Sequence, residues 1–194
     1  LKLYDKWSVL RVETVINNPA DFRVPCFTPD RRGRRRAVWK PMRKGIHNLW
    51  RYLQIAEATN RRYLDALAEV TPTADAVAQL DSLCRPRLQG GRQYSRFNPV
   101  ARTDTDYFQA VLSGAHLISG LSNHDLQAQL WASPAADPKE ARRRRQRVCR
   151  LIRKLRAHAL LAKIQGRRRY RVTLRGRRLL SAALHYRQRG FPNA

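Results

Sequence analysis

Apolar and polar residues alternate at the start of the chain and give way to helical spacing further on. Leu1, Leu3 and Asp5 alternate with Lys2 and Tyr4. Leu10, Val12, Thr14 and Ile16 alternate with Arg11, Glu13 and Val15, around a turn near Lys6–Ser8. A period of two with β-branched residues predicts a β-hairpin, which Asn17-Asn18-Pro19 ends. A second strand pair, near Phe22–Phe27 and Ala37–Lys40, flanks the basic loop TPDRRGRRR. Pro41 suits the first turn of a helix. Ile46, Leu49, Trp50, Leu53, Tyr63, Leu64 and Leu67 then keep helical spacing to about Val70. Thr71-Pro72-Thr73 stops that helix, and Ala74–Cys84 reads as a short one with Val77, Leu80 and Leu83 inward.

The run RPRLQGGRQYSRFNP, rich in Gly, Pro and Arg, reads as a linker. It divides the chain into 1–84, a linker at 85–103, and 104–194. Past it, Asp106–Ile118 predicts a helix with Tyr107, Phe108, Val111 and Leu112 apolar. Another begins at a Ser122 or Asn123 cap and turns Leu126, Leu130 and Trp131 inward.

The stretch EARRRRQRVCRLIRKLRAHALL decides the reading of the C-terminal half. Val148, Leu151, Ile152, Leu155 and Ala159 fall on one narrow helical stripe, so this is a packed amphipathic helix and not a solvated tail. Arg143, Gln146, Arg150 and Arg153 lie opposite that stripe, flanked by Arg142, Arg147 and Lys154. Arg144 and Arg145 fall on or beside it, where an unpaired charge is too costly to bury. The helix is therefore expected to emerge from its core before residue 146, or to start there.

Two strands (Leu161–Ile164 and Arg169–Thr173) around a basic turn follow, then a final helix with Leu179, Leu180 and Leu184 apolar. Three helices, a basic hairpin and a closing helix is the order of a winged helix-turn-helix. The run RLIRKLRAHALLAKIQGRRRYRVTLRGRRLL resembles the MarR/ArsR-type pattern, in which a recognition helix ends in LRxxGLI and a wing ends in YxLTxxGR. Ala159 stands where that pattern has glycine. The resemblance covers about residues 104–185. It implies a C-terminal winged helix, which with the N-terminal β-hairpin and helices read from periodicity makes an α+β, mainly α fold. It further implies a recognition helix in the major groove of double-stranded DNA.

Charge sharpens the choice of partner. The 194 residues hold 40 Lys+Arg against 14 Asp+Glu, a formal charge of +26. Residues 139–194 alone contain 20 Lys+Arg and one acid, Glu140. Arginine's planar fork suits phosphate and guanine. The expected partner is nucleic acid, with Arg167, Arg168 and Arg169 on phosphate or a minor groove and Arg143, Gln146 and Arg150 able to read base edges. Nothing is apolar enough to span a bilayer. Cys26, Cys84 and Cys149 lack C-x-x-C spacing and read as reduced thiols. A cytoplasmic, nucleoid-associated protein without cofactor is expected. A homodimer stays open, because no heptad or dimer helix is visible.

The N-terminal stretch LYDKWSVLRVETVIN resembles segments of replication initiators and transposase-like proteins of mobile elements, and the whole chain resembles an uncharacterised bacterial family. The chemistry to weigh there is a metal held by Asp5 and Glu13 beside Tyr4 as nucleophile. The bland alternative has Asp5 at a turn and Glu13 paired with Arg11, Lys2 or Lys6. The histidines have no ligand spacing, and no phosphate loop or catalytic motif occurs. The leading expectation is a sequence-specific DNA-binding module. The alternatives are the C-terminal fragment of a metal-dependent nuclease, replication initiator or transposase, favoured by a start at Leu1, and an RNA-binding protein.

Overall fold

The computed structural model describes residues 2–6, 9–30, 32–68 and 78–190. The turn expected at Trp7-Ser8, the stop at Thr71-Pro72-Thr73 and most of the helix expected from Ala74 lie outside them. The chain is α+β and mainly helical, with small two-stranded antiparallel sheets. It divides into two compact units, Leu1–Asp65 and Ala66–Ala194.

In the first unit, β1 (Lys2–Lys6) pairs with β2 (Val9–Glu13), and β3 (Arg23–Pro29) pairs with β4 (Arg35–Pro41). Both hairpins stand where the sequence placed them, the first by alternation and the second by the basic loop that its strands flank. Pro41 does not start a helix: it ends β4, and Met42 N–H donates to Phe22 O at 2.8 Å. A proline is tolerated at a strand end because the missing donor costs no central ladder bond. Helix α1 (Leu49–Ala68) begins only after a 3-10 turn at Ile46–Asn48. Most of the apolar residues that keep its helical spacing lie at the surface. Ile55 and Thr59 are the buried residues, whereas Ile46 is 88% exposed and Leu53 68% exposed.

The second unit holds β5 (Arg87–Gln89), β6 (Arg92–Tyr94), α2 (Arg102–Leu112), α3 (Asn123–Leu130), α4 (Pro138–Ala157), β7 (Leu161–Lys163), β8 (Tyr170–Val172) and α5 (Leu174–Gly190). The segment read as a linker is therefore part of this unit. Gly90 and Gly91, at φ 57° and 72°, close β5–β6 in the way two-residue hairpins require. Phe97 is fully buried, packed edge-on against Phe108 at 5.5 Å, and its N–H donates to Leu83 O. Helix α2 starts four residues earlier than expected, where Asp104 accepts from Asn98 N–H at 2.7 Å, and it ends at Leu112, short of Gly114.

Phe97, Phe108, Val111, Leu121, Leu126, Val148, Leu155, Leu160, Leu179 and Leu180 form one continuous core. Between α2 and α3, Leu121 exchanges both backbone hydrogen bonds with Tyr170, at 2.8 Å each. This bridge adds a third, one-residue strand beside β8.

Candidate nucleic-acid interface

Helix α4 is fixed at both ends by local chemistry. Asp137 caps its start, accepting from Glu140 N–H at 2.6 Å, with Pro138 in the first turn. At its far end Leu160 N–H donates to Leu155 O and Ala159 N–H to Arg156 O, both at 2.9 Å. That pair of bonds is a Schellman closure, and it forces Ala159 into the left-handed region at φ 58°. The glycine-like role survives in an alanine. Val148, Leu151, Ile152 and Leu155 are buried, as their stripe predicted.

The arginine run divides differently from expectation. The helix neither starts at residue 146 nor leaves its support there. Arg144 is mostly buried, but it is paired. Its guanidinium meets Glu140 at 2.6 Å, donates to Ser133 O at 2.7 Å and lies 5.3 Å over the Trp131 ring. Glu140 is held below the usual carboxylate range by the Ala136 N–H and then by Arg144. Arg144 thus ties the α3–α4 connection to α4. Arg145 is exposed, and its carbonyl accepts from the Asn123 amide at 3.2 Å, docking α3 across α4.

Arg142, Arg143, Gln146, Arg147, Arg150 and Arg153 are all exposed on α4. Among the described residues none of these arginines has an ion-pair partner. They form one cationic face along about three helical turns.

The β7–β8 hairpin carries the second set. Arg168 is exposed at its turn, and Arg167 is half-buried. Arg169 points inward. It donates to Gly120 O at 2.8 Å and Ser119 Oγ at 3.2 Å, and stands 3.3 Å from Asp125. Partial burial would raise the Asp125 carboxyl, but the Ser122 N–H and hydroxyl, with Arg169, hold it below its ordinary range. Arg169 is therefore a structural clamp between the hairpin and α3, not a free contact for phosphate.

Sequence reading missed one side of this surface. A groove of about 650 Å³ runs between β6 and α4, lined by Arg92, Tyr94, Tyr107, Arg147, Arg150 and Lys154 among others. Lys154 Nζ sits 3.7 Å above the Phe97 ring, and burial pushes its pKa down. The alternation of Arg92, Gln93 and Tyr94 is too short to read as a strand, so its cation escaped notice.

The N-terminal candidates do not converge. Glu13 pairs with Arg11 at 2.6 Å, and Tyr4 is exposed. The register sets Tyr4 opposite Arg11, Lys2 opposite Glu13 and Asp5 opposite Leu10. Strand alternation then puts positions 4 and 13 on one face and position 5 on the other. The Asp5 side chain lies outside the described ones. Among the described residues there is no group of three or more His, Cys, Asp or Glu placed to hold a metal, and no helix long and apolar enough to cross a membrane. No protein-family model matches the chain, and no match was found among curated proteins or among solved structures.

Proposed function

We propose that the second unit is a winged helix-turn-helix that binds double-stranded DNA in a sequence-specific way. In this reading α4 enters the major groove and the β7–β8 hairpin is the wing on neighbouring phosphates or the minor groove. The order of α2, the Leu121 bridge, α3, α4, β7 and β8 supports it. The observation that carries it is the outward face of α4, where Arg143, Gln146 and Arg150 stand exposed and without acids on a helix locked at both ends. Locked ends keep the helical backbone in place, so binding costs little ordering of the helix itself.

The residues divide by role. Arg143, Gln146 and Arg150 face base edges; Arg142, Arg147, Arg153 and the wing's Arg168 and Arg167 hold phosphate. Such a module serves either a transcriptional regulator or the DNA-targeting part of a mobile-element protein.

Selection from a random duplex library, followed by fluorescence anisotropy on the selected site, tests this. Arg143→Ala and Arg150→Ala are expected to cost about 1–3 kcal/mol on the selected site and much less on unrelated duplex. Arg168→Ala should weaken both alike and reduce the salt slope by about 1. Equal losses from all three on every sequence would leave only a polyanion-binding surface.

A further inference from the structure

The first unit carries its own basic element. Residues 31–44, RRGRRRAVWKPMRK, contain eight Lys or Arg and no acid. The neighbouring acid, Asp30, is engaged by the backbone: its carboxylate accepts from Arg32 N–H at 2.8 Å and Arg34 N–H at 2.9 Å. With Gly33 at φ 74°, these bonds close the turn between β3 and β4. Asp30 thus commits its carboxylate to the loop backbone and pairs with none of the described guanidiniums beside it. Arg32, Arg34, Arg35, Arg36 and Lys40 are exposed, and among the described residues none forms an ion pair.

The same hairpin shows aromatic surface to water. Phe27 is 70% exposed and Trp39 40%. The register pairs Phe27 with Ala37 and Pro25 with Trp39, without a bulge. Phe27 and Trp39 are therefore diagonal neighbours on one face, about 7–8 Å apart along the backbone lattice. Arg35 belongs to that face as well, opposite Pro29. Two exposed rings beside an arginine-rich turn combine a stacking platform with phosphate binding.

We propose that this face of the β3–β4 hairpin binds single-stranded nucleic acid, with Phe27 and Trp39 stacking on successive unpaired bases and the turn arginines on the phosphates. A single strand is favoured over duplex because an intact duplex hides its base faces within the stack and offers such rings no partner. The site is on a different unit from α4 and stands or falls independently of the duplex reading.

The test uses the whole chain and a fluorescein-labelled oligo-dT, with a hairpin-free duplex as the comparison. Phe27→Ala combined with Trp39→Ala should lower oligo-dT affinity roughly 10-fold or more, leaving duplex affinity unchanged. Phe27→Tyr with Trp39→Phe keeps both rings and should retain binding. Unlabelled oligo-dT should quench tryptophan emission in the parent chain, and Trp39→Phe should remove most of that quenching. Oligo-dT affinity indifferent to the rings, equal losses on single strand and duplex, or quenching that survives Trp39→Phe would each overturn the proposal.

Discussion

Arg169 and Asp125 meet at 3.3 Å, one from the β7–β8 hairpin and the other from the first turn of α3. Both side chains are less than a third exposed, and Arg169 also donates to Gly120 O. Removing the guanidinium leaves a partly buried carboxylate and a carbonyl short of a donor. Arg169→Ala should therefore lower unfolding stability by about 1–3 kcal/mol, measured by denaturant melts. Arg168→Ala, one residue earlier and exposed, should stay within about 0.5 kcal/mol of the parent.

The left-handed Ala159 predicts a gain. An L-residue at φ 58° carries strain that glycine lacks, and Ala159 is exposed, so no packing is lost. Ala159→Gly should stabilise the chain by about 0.5–1 kcal/mol, with nucleic-acid affinity unaltered. A drop in melting temperature would contradict the Schellman closure.

Gly176 predicts the reverse. A Cβ there would stand 2.2 Å from Leu160 O, a backbone atom that cannot swing aside. Thr173 fixes the same contact, with its hydroxyl donating to Ala159 O and accepting from Gly176 N–H, both at 2.8 Å. Gly176→Ala should cost about 1–3 kcal/mol, and calorimetry would show it.

Acid should loosen the core before its carboxylates titrate. His158 is 3% exposed, its Nε2 donates to Ser95 O at 3.1 Å, and burial pushes its pKa below the ordinary histidine range. Burial does the same to His116, partly offset by Asp125. Folded imidazoles thus stay neutral where the unfolded chain has begun to take up protons. Their contribution is intact above the unfolded pKa of about 6.5 and is lost as pH falls below it. Melting temperature should fall on going from about pH 7 to about pH 5, and His158→Gln should flatten that slope.

Periodicity made α4, the β7–β8 hairpin and α5 legible because each couples a clear apolar stripe to a turn signal. It also located the first N-terminal hairpin, and the Pro- and Gly-punctuated basic loop marked the second. It failed where tertiary bonds outweigh pattern. The β5–β6 hairpin has three-residue strands, too short to alternate visibly, and its Gly90-Gly91 turn looks like a flexible joint in isolation. Arg144 was legible as a residue that cannot be buried alone, but its partners Glu140, Ser133 and Trp131 include two contacts across a loop. Arg169 looked identical to Arg168 in sequence; the turn before β8 leaves Arg168 in solvent and brings Arg169 to Gly120, Ser119 and Asp125. In α1 the spacing of Leu49 and Leu53 was helical, as observed, yet spacing alone does not say which face meets a core.

The outward face of α4 has no carboxylates, and the chain carries +26 in all. Such a chain repels itself, so its fold and the proposed nucleic-acid binding should answer salt with opposite signs. Added ions screen the self-repulsion and should raise the melting temperature of the free protein, while the same ions should weaken the proposed contacts to phosphate. A bound polyanion does for the fold what salt does, and more selectively: it is the counter-charge the sequence omits. Nucleic acid should then stabilise the chain most at low ionic strength, where the unbound protein is weakest.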